Sequence, residues 1–306
     1  MDRPHSVLMQ FLQLRAIVEI QRAGSFRKAA VRLGRSQPSL TRAILQFEEE
    51  IGLPIFDRST TGVTLTAHGK RIHARAQSVL AEVERLEDET RQLRDLQHGT
   101  VRLALSPVGG AVLFPKAMKH FRRSWPGINV EVFDALYPEA INMLRNGEID
   151  FAVGPTPEDF VDPAIAIETL TRMRIVLATH RSNPRRAATH LEELADCPWF
   201  IHGPDFGPGG MLAFQDSPAS QISITRCRSL ITLLAAVVEN NGFTFISDLL
   251  FDQLEKRYEL IAVPISDPLT SLSLTLATRR NLSPTPAAEA LLTHLTRRAR
   301  SLRPMD

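Results

Sequence analysis

The chain has 306 residues, a formal net charge of +2, and 43% hydrophobic against 23% charged residues. At about 150 residues per domain, this globular composition predicts two or three domains. The longest strongly apolar run, residues 230–238, is too short to span a bilayer, and the N-terminus lacks the apolar core of a secretory signal. Cys197 and Cys227 cannot form a disulfide framework. We therefore expect a cytoplasmic protein with no membrane partner.

Charge is divided unevenly along the chain. Residues 1–75 contain 12 Lys and Arg against 6 Asp and Glu, a net charge of +6, whereas the remainder has 24 against 28, a net charge of −4. A basic N-terminal segment on an acidic body indicates that this segment contacts a polyanion. Its cations are mostly arginines, which suit bidentate contacts with phosphate or guanine. A basic surface that meets only solvent would give the same pattern.

Three helices are predicted before residue 52. Apolar residues at helical spacing run from Leu8 to Ala23, and Ser25 is a good N-cap for a short second helix. After a turn at Gly34, Ser36 caps a third helix that ends at Ile51. Two short helices joined by a tight turn that contains glycine are typical of the helix-turn-helix motif.

The third helix has an apolar stripe and a polar side. The polar side carries amide, hydroxyl and guanidinium groups that can bind base edges and phosphates: Gln37, Ser39, Thr41, Arg42 and Gln46. An amphipathic helix whose polar side meets only water is the alternative. Residues 56–66 then predict two short strands around a turn, a β-wing whose Arg58 could grip a backbone phosphate.

A strong resemblance to the N-terminal domain of LysR-type transcriptional regulators covers residues 23–69, AGSFRKAAVRLGRSQPSLTRAILQFEEEIGLPIFDRSTTGVTLTAHG. The shared features are the Gly-Ser-Phe entry, the paired alanines, Ser-Gln-Pro-Ser-Leu at the recognition helix and the Leu-Thr-x-x-Gly exit. The resemblance implies a winged helix-turn-helix domain over residues 1–66 that binds double-stranded promoter DNA. By position, it assigns contacts with DNA to Ser25, Ser36, Gln37, Ser39, Thr41, Arg42 and Arg58.

Six of these positions divide into three kinds. Gln37, Ser39 and Arg42 match contacts of the recognition helix, while Ser25 and Thr41 match phosphate contacts. Arg58 matches the wing. Many family members have a second basic residue where this chain has a threonine at position 61, so the wing is expected to hold DNA more weakly or through Arg58 alone.

A long linker helix is predicted over residues 67–98. Its apolar residues alternate in steps of four and three through three heptads: Ile72, Ala76, Val79, Val83, Leu86, Thr90 and Leu93. A rod of about 45 Å cannot bury such a stripe on itself. The same helix of a second chain is the predicted partner, and the chain's own body is the alternative. In the family this helix is a dimer arm, which implies a homodimer or homotetramer on a roughly palindromic site.

From Gly99 onward the pattern changes to alternating strands and helices, which predicts an α/β body with a parallel sheet. Strands are predicted at 100–105, 128–133, 149–153, 173–178, 199–202, 243–246, 260–263 and 272–278. Helices are predicted from after Gly110 through Phe121 and at 139–146, 190–195, 229–240 and 285–302. Two such lobes would enclose a cleft, where strand ends and helix N-termini bind ligands. Ser106, Gly109 and Gly110 would offer a hydroxyl and N–H groups to an anion there.

The resemblance extends into this body through the segments EIDFAVGPT, FGPGG and SPTPAAEA. It implies a two-lobed effector domain, similar to periplasmic binding proteins, over residues 99–306, with lobe I at 99–167 and 269–306 and lobe II at 168–268. A small-molecule inducer, an organic acid or aromatic anion, would bind between the lobes. Positions that match the inducer-facing set are Ser106, Val108, Gly109, Pro155, Thr156, Phe206, Gly207, Pro208, Gly209, Ser247 and Asp248. Plain turns are the alternative for both glycine-rich loops.

Other chemistry is not indicated by the sequence. It contains no Gly-x-Ser-x-Gly elbow and no P-loop, and His68 and His73 lie five residues apart, the wrong spacing for two metal ligands on one helix face. No cofactor and no metal are therefore expected. A redox-sensing pair is the alternative for Cys197 and Cys227, which we expect to be buried small hydrophobes.

The sequence thus predicts an α/β fold class with three parts: an N-terminal all-α winged helix-turn-helix, a long linker helix and a two-lobed α/β effector domain similar to periplasmic binding proteins. The predicted function is that of a LysR-type transcriptional regulator without enzymatic activity. The alternative is a metabolite-binding or enzymatic α/β protein whose N-terminal helices only dimerise. Such a protein would have no salt-dependent affinity for DNA.

Overall fold

A computed structural model describes residues 10–59, 62–95, 98–203, 224–269 and 271–302. Its N-terminal unit consists of α1 (Phe11–Ala23), α2 (Phe26–Arg32), α3 (Gln37–Ile51), β1 (Phe56–Ser59) and β2 (Gly62–Leu65). The two strands form an antiparallel hairpin in which Phe56 pairs with Leu65. The predicted helix-turn-helix and wing are both confirmed.

Local signals explain where these helices begin and what they bury. The Ser25 hydroxyl accepts the Lys28 N–H at the start of α2, and the Ser36 hydroxyl accepts the Ser39 N–H at the start of α3. The stripe of α3 packs with α1 and α2 in one core, whose members are at most 7% exposed: Ala16, Ile17, Ile20, Phe26, Ala29, Ala30, Leu40, Ile44 and Phe47. This core fixes the orientation of α3.

The linker helix α4 (Ala67–Asp95) starts in close contact with the N-terminal unit. The Thr66 hydroxyl accepts the Gly69 N–H at 2.9 Å and so caps the helix. A Cβ at Gly69 would lie 2.1 Å from the carbonyl oxygen of Ile55, so only glycine permits this approach. The Leu-Thr-x-x-Gly exit is therefore a packing motif that fixes where the linker leaves the unit.

Gly69→Ala should lower the free energy of unfolding by about 1–3 kcal/mol, because the added methyl group must push two backbone segments apart. Urea denaturation followed by circular dichroism measures the loss. Gly110→Ala is the control, since a Cβ at Gly110 meets no atom within 4 Å. Equal stability of the two variants would contradict the close approach at Gly69.

The predicted apolar seam of α4 remains largely open. Val79, Leu86 and Leu93 repeat every seven residues and are 48%, 63% and 70% exposed. Ala76 is buried. An exposed apolar row at this spacing is typical of a coiled-coil surface that pairs with another helix.

The opposite side of α4 is polar and packs on the chain's own body. The Arg85 Nε donates to Asp150 Oδ1 at 3.0 Å, and the Arg85 guanidinium also donates to the Gly147 carbonyl. Near the end of the helix, Gln92 accepts the Ala287 N–H at 3.0 Å. The alternative prediction, packing on the body, therefore holds for this polar side, while the apolar row stays open.

The body alternates strands and helices as predicted. In chain order they are β3 (Thr100–Leu105), α5 (Phe114–Ser124), β4 (Asn129–Asp134), α6 (Glu139–Asn146), β5 (Phe151–Pro155), β6 (Ile165–His180), β7 (Trp199–His202), β8 (Ile224–Cys227), α7 (Leu230–Glu239), β9 (Phe243–Ser247), α8 (Asp248–Tyr258), β10 (Leu260–Ala262), β11 (Ser271–Arg279) and α9 (Pro286–Arg300). A π-helical turn, Gly109–Leu113, precedes α5. Among the described helices, none has the length and apolarity to cross a membrane.

The strands lie in the order β4-β3-β5-β11-β6-β9-β7-β8, with β10 beside β6. In one lobe β3 is parallel to β4 and β5, and in the other β7 is parallel to β8 and β9. The two central strands, β6 and β11, run antiparallel to their neighbours. The prediction of a parallel sheet is therefore wrong at the centre, because one central strand carries the chain out of the first lobe and the other brings it back.

Three elements differ from the sequence-based prediction. β6 has 16 residues, because its polar residues break the apolar run that marks only residues 173–178. The helix predicted at 190–195 is a single 3-10 turn, Leu191–Leu194. α8 has no counterpart in the prediction. Ser247 is both the last residue of β9 and the N-cap of α8, so no turn in the sequence separates the strand from the helix.

Candidate DNA-binding surface and effector cleft

The polar side of α3 faces outward from the N-terminal unit. Gln37, Ser39 and Arg42 are exposed, and Thr41 is half-buried. Gln46 is also exposed, and its amide donates to Glu50 at 2.8 Å. Ser39, Arg42 and Gln46 thus share one accessible face of α3, and Gln37 is exposed in its first turn.

Two capping serines remain able to bind phosphate. Ser25 and Ser36 each accept a backbone N–H at the start of a helix. A hydroxyl that accepts a hydrogen bond keeps its own hydrogen for donation. Phosphate oxygens accept such bonds, and the N-terminus of a helix favours anions. Arg58 lies in the wing, paired with Val63 across the hairpin.

A second candidate site lies between the lobes, where the carboxyl ends of two parallel strand sets face each other. The described strands end at Leu105, Asp134 and Pro155 in lobe I, and at His202, Cys227 and Ser247 in lobe II. Arg228, just beyond β8, donates to Glu139 at the start of α6, with 2.8 Å between Nη2 and Oε2. Open α/β sheets bind ligands at such edges.

In the turn after β3, the polar groups bond to one another, which the sequence does not predict. Ser106 is buried, and its hydroxyl accepts the Gly109 N–H at 3.3 Å. Its carbonyl accepts the Gly110 N–H at 2.8 Å. A Cβ at Gly109 would lie 3.0 Å from the Val153 carbonyl, so the turn is packed against β5. Val108 is buried as well. The expectation that these glycine N–H groups are offered to an anion is therefore wrong, since both are bonded within the turn.

Pro155 and Thr156 line a small cavity of about 10 Å³ beside the end of β5. The Thr275 hydroxyl donates to the Gly154 carbonyl at 2.8 Å, and Thr156 Oγ1 lies 2.9 Å from the same hydroxyl oxygen. Because a hydroxyl has one hydrogen, Thr156 must be the donor to Thr275. The Thr156 oxygen then remains available only as an acceptor.

The other predicted effector positions lie in lobe II. The Ser247 hydroxyl caps α8 by accepting the Leu250 N–H at 3.3 Å. The Asp248 carboxylate accepts the backbone N–H and Nε of Arg174, both at 3.3 Å. The remaining four fall outside the described residues: Phe206, Gly207, Pro208 and Gly209. Their assignment remains a prediction.

Two side chains at the cleft are absent from the sequence-based set. His202 ends β7, and its buried Nε2 has no hydrogen-bond partner among the described residues. Burial lowers the pKa of His202, while the charge of Asp134 and a backbone hydrogen bond with Arg228 partly raise it. Asp134 ends β4, in the opposite lobe. No motif joins residues so far apart in sequence, so only the fold shows that each ends a strand at the edge of the cleft.

The cysteines differ in their surroundings. Cys227 is buried and Cys197 is half-buried, so the predicted burial is confirmed fully only for Cys227. Burial, followed by the charge of Asp196, raises the pKa of the Cys197 thiol and so disfavours its reactive thiolate form. Within the described ranges, no cluster of His, Cys, Asp and Glu side chains could hold a metal ion.

Family models match both parts of the chain. The model for the bacterial regulatory helix-turn-helix protein, lysR family, matches residues 11–70, and the model for the LysR substrate binding domain matches residues 94–300. Among similar proteins, the transcriptional regulator BenM of Acinetobacter baylyi is 26% identical over 282 residues, which cover 89% of this chain and 90% of BenM. The regulator BbuR of Bordetella bronchiseptica is 26% identical over 272 residues, 85% of this chain and 81% of BbuR.

Solved structures share the fold along nearly the whole chain. ArgP from Mycobacterium tuberculosis has a TM-score of 0.72 at 19% identity, and the alignment covers 96% of this chain and 98% of ArgP. Full-length CbnR in complex with its target DNA has a TM-score of 0.64 at 20% identity, with 95% and 100% covered. The arrangement of a helix-turn-helix unit, a linker helix and a two-lobed body is therefore common to these chains.

Proposed function

Because the chain belongs to the LysR family of transcriptional regulators, with a helix-turn-helix DNA-binding domain and a substrate-binding domain, we propose that it works as an oligomer in the cytoplasm. In this proposal a homodimer or homotetramer binds a roughly palindromic promoter site through paired recognition helices. A small organic acid or aromatic anion bound between the lobes changes how the oligomer is arranged on the DNA. The chain acts by binding and not by catalysis, in keeping with relatives that are regulators.

The observation that carries this proposal is the exposed row on α4. Val79, Leu86 and Leu93 lie open on a helix of 29 residues whose other side is fastened to the body. Pairing two such rows would bury them and join two DNA-binding units. Two-fold symmetry would then place two α3 helices on successive turns of one duplex.

The proposed DNA contacts are those on the exposed face and caps of the N-terminal unit: Ser25, Ser36, Gln37, Ser39, Thr41, Arg42 and Arg58. CbnR, which shares the fold, has been solved with its target DNA. The excess of Arg over acidic residues in residues 1–75 supports phosphate binding. LysG of Corynebacterium glutamicum, another protein of this fold, has been solved with the effector Arg bound.

Regulation follows from linkage between the cleft and DNA. An effector that binds one arrangement of lobes and subunits more tightly shifts the population toward that arrangement. The hydrogen bond from Arg85 to Asp150 holds α4 against lobe I. The linker helix therefore moves together with this lobe. A change in the cleft can therefore alter the spacing of the two DNA-binding units.

Fluorescence anisotropy with the full-length protein tests the proposal. The DNA upstream of its own gene is compared with a shuffled duplex of equal length while the salt concentration is raised. We expect tighter binding to the upstream DNA and a steep, linear fall of log affinity with log salt, because bound arginines release counterions from phosphates. Equal binding to both duplexes, or no binding at low salt, would contradict it.

A further inference from the structure

A cavity of about 870 Å³ lies where α1, α4 and lobe I meet, outside the cleft between the lobes. α1 contributes Leu14 to its wall, and α4 contributes most of residues 71–79. Lobe I contributes side chains from three segments, among them Arg145, Ile165 and Arg279. None of the positions that match the inducer-facing set lines this cavity. Its volume is within the range of small-molecule sites, about 300–1,000 Å³.

The charged side chains that line the cavity are all basic among the described residues: Arg71, Arg75, Arg145 and Arg279. Arg145 is neutralised by Asp162, with 2.8 Å between Nε and Oδ2. Arg71 and Arg75 are exposed on α4, and neither forms an ion pair or a side-chain hydrogen bond with a described residue. The cavity therefore carries positive charge that the described part of the chain does not compensate, which favours an anionic ligand.

Arg279 adds a cation that is largely buried. Its side chain is 13% exposed, and its ion pair with Glu82 is loose, with 3.7 Å between Nη1 and Oε2. The Nε atom is buried and has no hydrogen-bond partner among the described residues. Burial and the charge of Arg85 lower the pKa of Arg279 to about 10, so the group is still charged at pH 7.5. An anion in the cavity would offset this charge.

The rest of the wall is mostly aliphatic, and none of the described residues that line it is aromatic. Leu14 and Ile165 are buried, whereas Val79 and Leu282 are 48% and 39% exposed and leave apolar surface open at the cavity. A ligand that is only an anion, such as acetate or phosphate, would leave this surface in contact with water. The lining therefore matches an anion that has an aliphatic chain.

We propose that this cavity is a second ligand site, separate from the cleft, and that it binds a fatty carboxylate of medium chain length. The carboxylate would accept charge-assisted hydrogen bonds from the guanidinium groups of Arg71, Arg75 and Arg279. The chain would cover the aliphatic wall, which includes Val79 and Leu282. Because α1, α4 and lobe I all border the cavity, the bound molecule would hold the N-terminal unit against lobe I and so alter DNA affinity by linkage.

Isothermal titration of the full-length protein at pH 7.5, without DNA, tests this with three probes. Octanoate has both the chain and the carboxylate, 1-octanol has only the chain, and acetate has only the carboxylate. We expect octanoate to bind about 10-fold or more tightly than 1-octanol, because hydrogen bonds with a charged group contribute at least that factor. Acetate should show no binding in the same concentration range, since it covers none of the aliphatic wall.

Two double variants on α4 locate the bound molecule. Arg71→Gln with Arg75→Gln should weaken octanoate by about 10-fold and leave 1-octanol unchanged. The control, Lys70→Gln with Arg94→Gln, removes two charges from the same helix at exposed positions outside the cavity, so octanoate affinity should not change. All four positions are exposed, and unchanged melting temperatures without ligand verify folding.

A filling variant gives an independent check. Ala164 is exposed at the rim on the lobe I side, and Ala164→Phe should weaken both octanoate and 1-octanol because the ring takes up space in the cavity. Octanoate that binds the wild type and all three variants equally well would lie elsewhere and would overturn the inference. No binding to the full-length oligomer would overturn it too, as expected if a partner chain covered the cavity. Promoter binding is a separate readout, and only its loss would count against the proposed function.

Discussion

The Asp150→Ala variant should lose about 3–5 kcal/mol of unfolding free energy, because it leaves the Arg85 guanidinium buried without its carboxylate. The Asp150 side chain is 8% exposed and that of Arg85 is 11% exposed. Asp150 also accepts the Arg102 N–H at 2.8 Å. Arg279 lies close by, where burial and the charge of Arg85 lower its pKa to about 10. Without Asp150, Glu82 would be the one carboxylate among the described residues that forms an ion pair with the guanidinium groups of Arg85 and Arg279.

Urea denaturation of the wild type and the variant measures this loss. Glu87→Ala is the control on the same helix, since Glu87 pairs with Arg91 at 3.5 Å between two exposed side chains. Such surface pairs contribute little, so this variant should unfold close to the wild-type midpoint. If Asp150→Ala were no less stable than Glu87→Ala, the buried ion pair between Arg85 and Asp150 would not hold α4 on the body.

The Arg42→Ala variant should reduce the ratio of specific to nonspecific DNA affinity by about 5- to 150-fold, equivalent to about 1–3 kcal/mol. The reason is that a guanidinium on the exposed face of α3 can form two hydrogen bonds with the major-groove edge of guanine. Anisotropy titrations with upstream and shuffled DNA at one salt concentration give both affinities.

Arg181→Ala provides the comparison for this substitution. It removes the same charge from lobe II, where Arg181 pairs with Glu259 at 2.9 Å, and should leave both affinities near the wild-type values. If Arg42→Ala weakened binding to both duplexes by the same factor, Arg42 would contact phosphate, and its proposed role in reading bases would be wrong.

The N-terminal unit could be predicted because its signals are local. Ser25 and Ser36 each cap a helix through a residue three positions on, and the stripe of Leu40, Ile44 and Phe47 follows one helix period. The Gly69 packing also appears in the sequence as part of a motif. In such cases residues close in the sequence determine the local structure. The resemblance to LysR-type regulators then indicates what role these residues have.

The cleft could be predicted only in outline, because its chemistry depends on contacts between distant segments. The sequence shows Gly109 and Gly110 but not that their N–H groups are already bonded. It shows His202 and Asp134 but not that each ends a strand at the edge of the cleft, in different lobes. The same limit applies to α4, where heptad spacing predicts the apolar row, whereas the polar contact between Arg85 and Asp150 appears only once the helix lies on the body.

Hydroxyl-radical footprinting on the upstream DNA tests most directly whether two chains place two α3 helices on one duplex. We expect two protected segments on one face of the DNA, with centres about 10–10.5 base pairs apart or a multiple of that distance. A single protected segment, from a protein that sediments as a monomer, would contradict the pairing of linker helices from which the proposed mode of regulation follows.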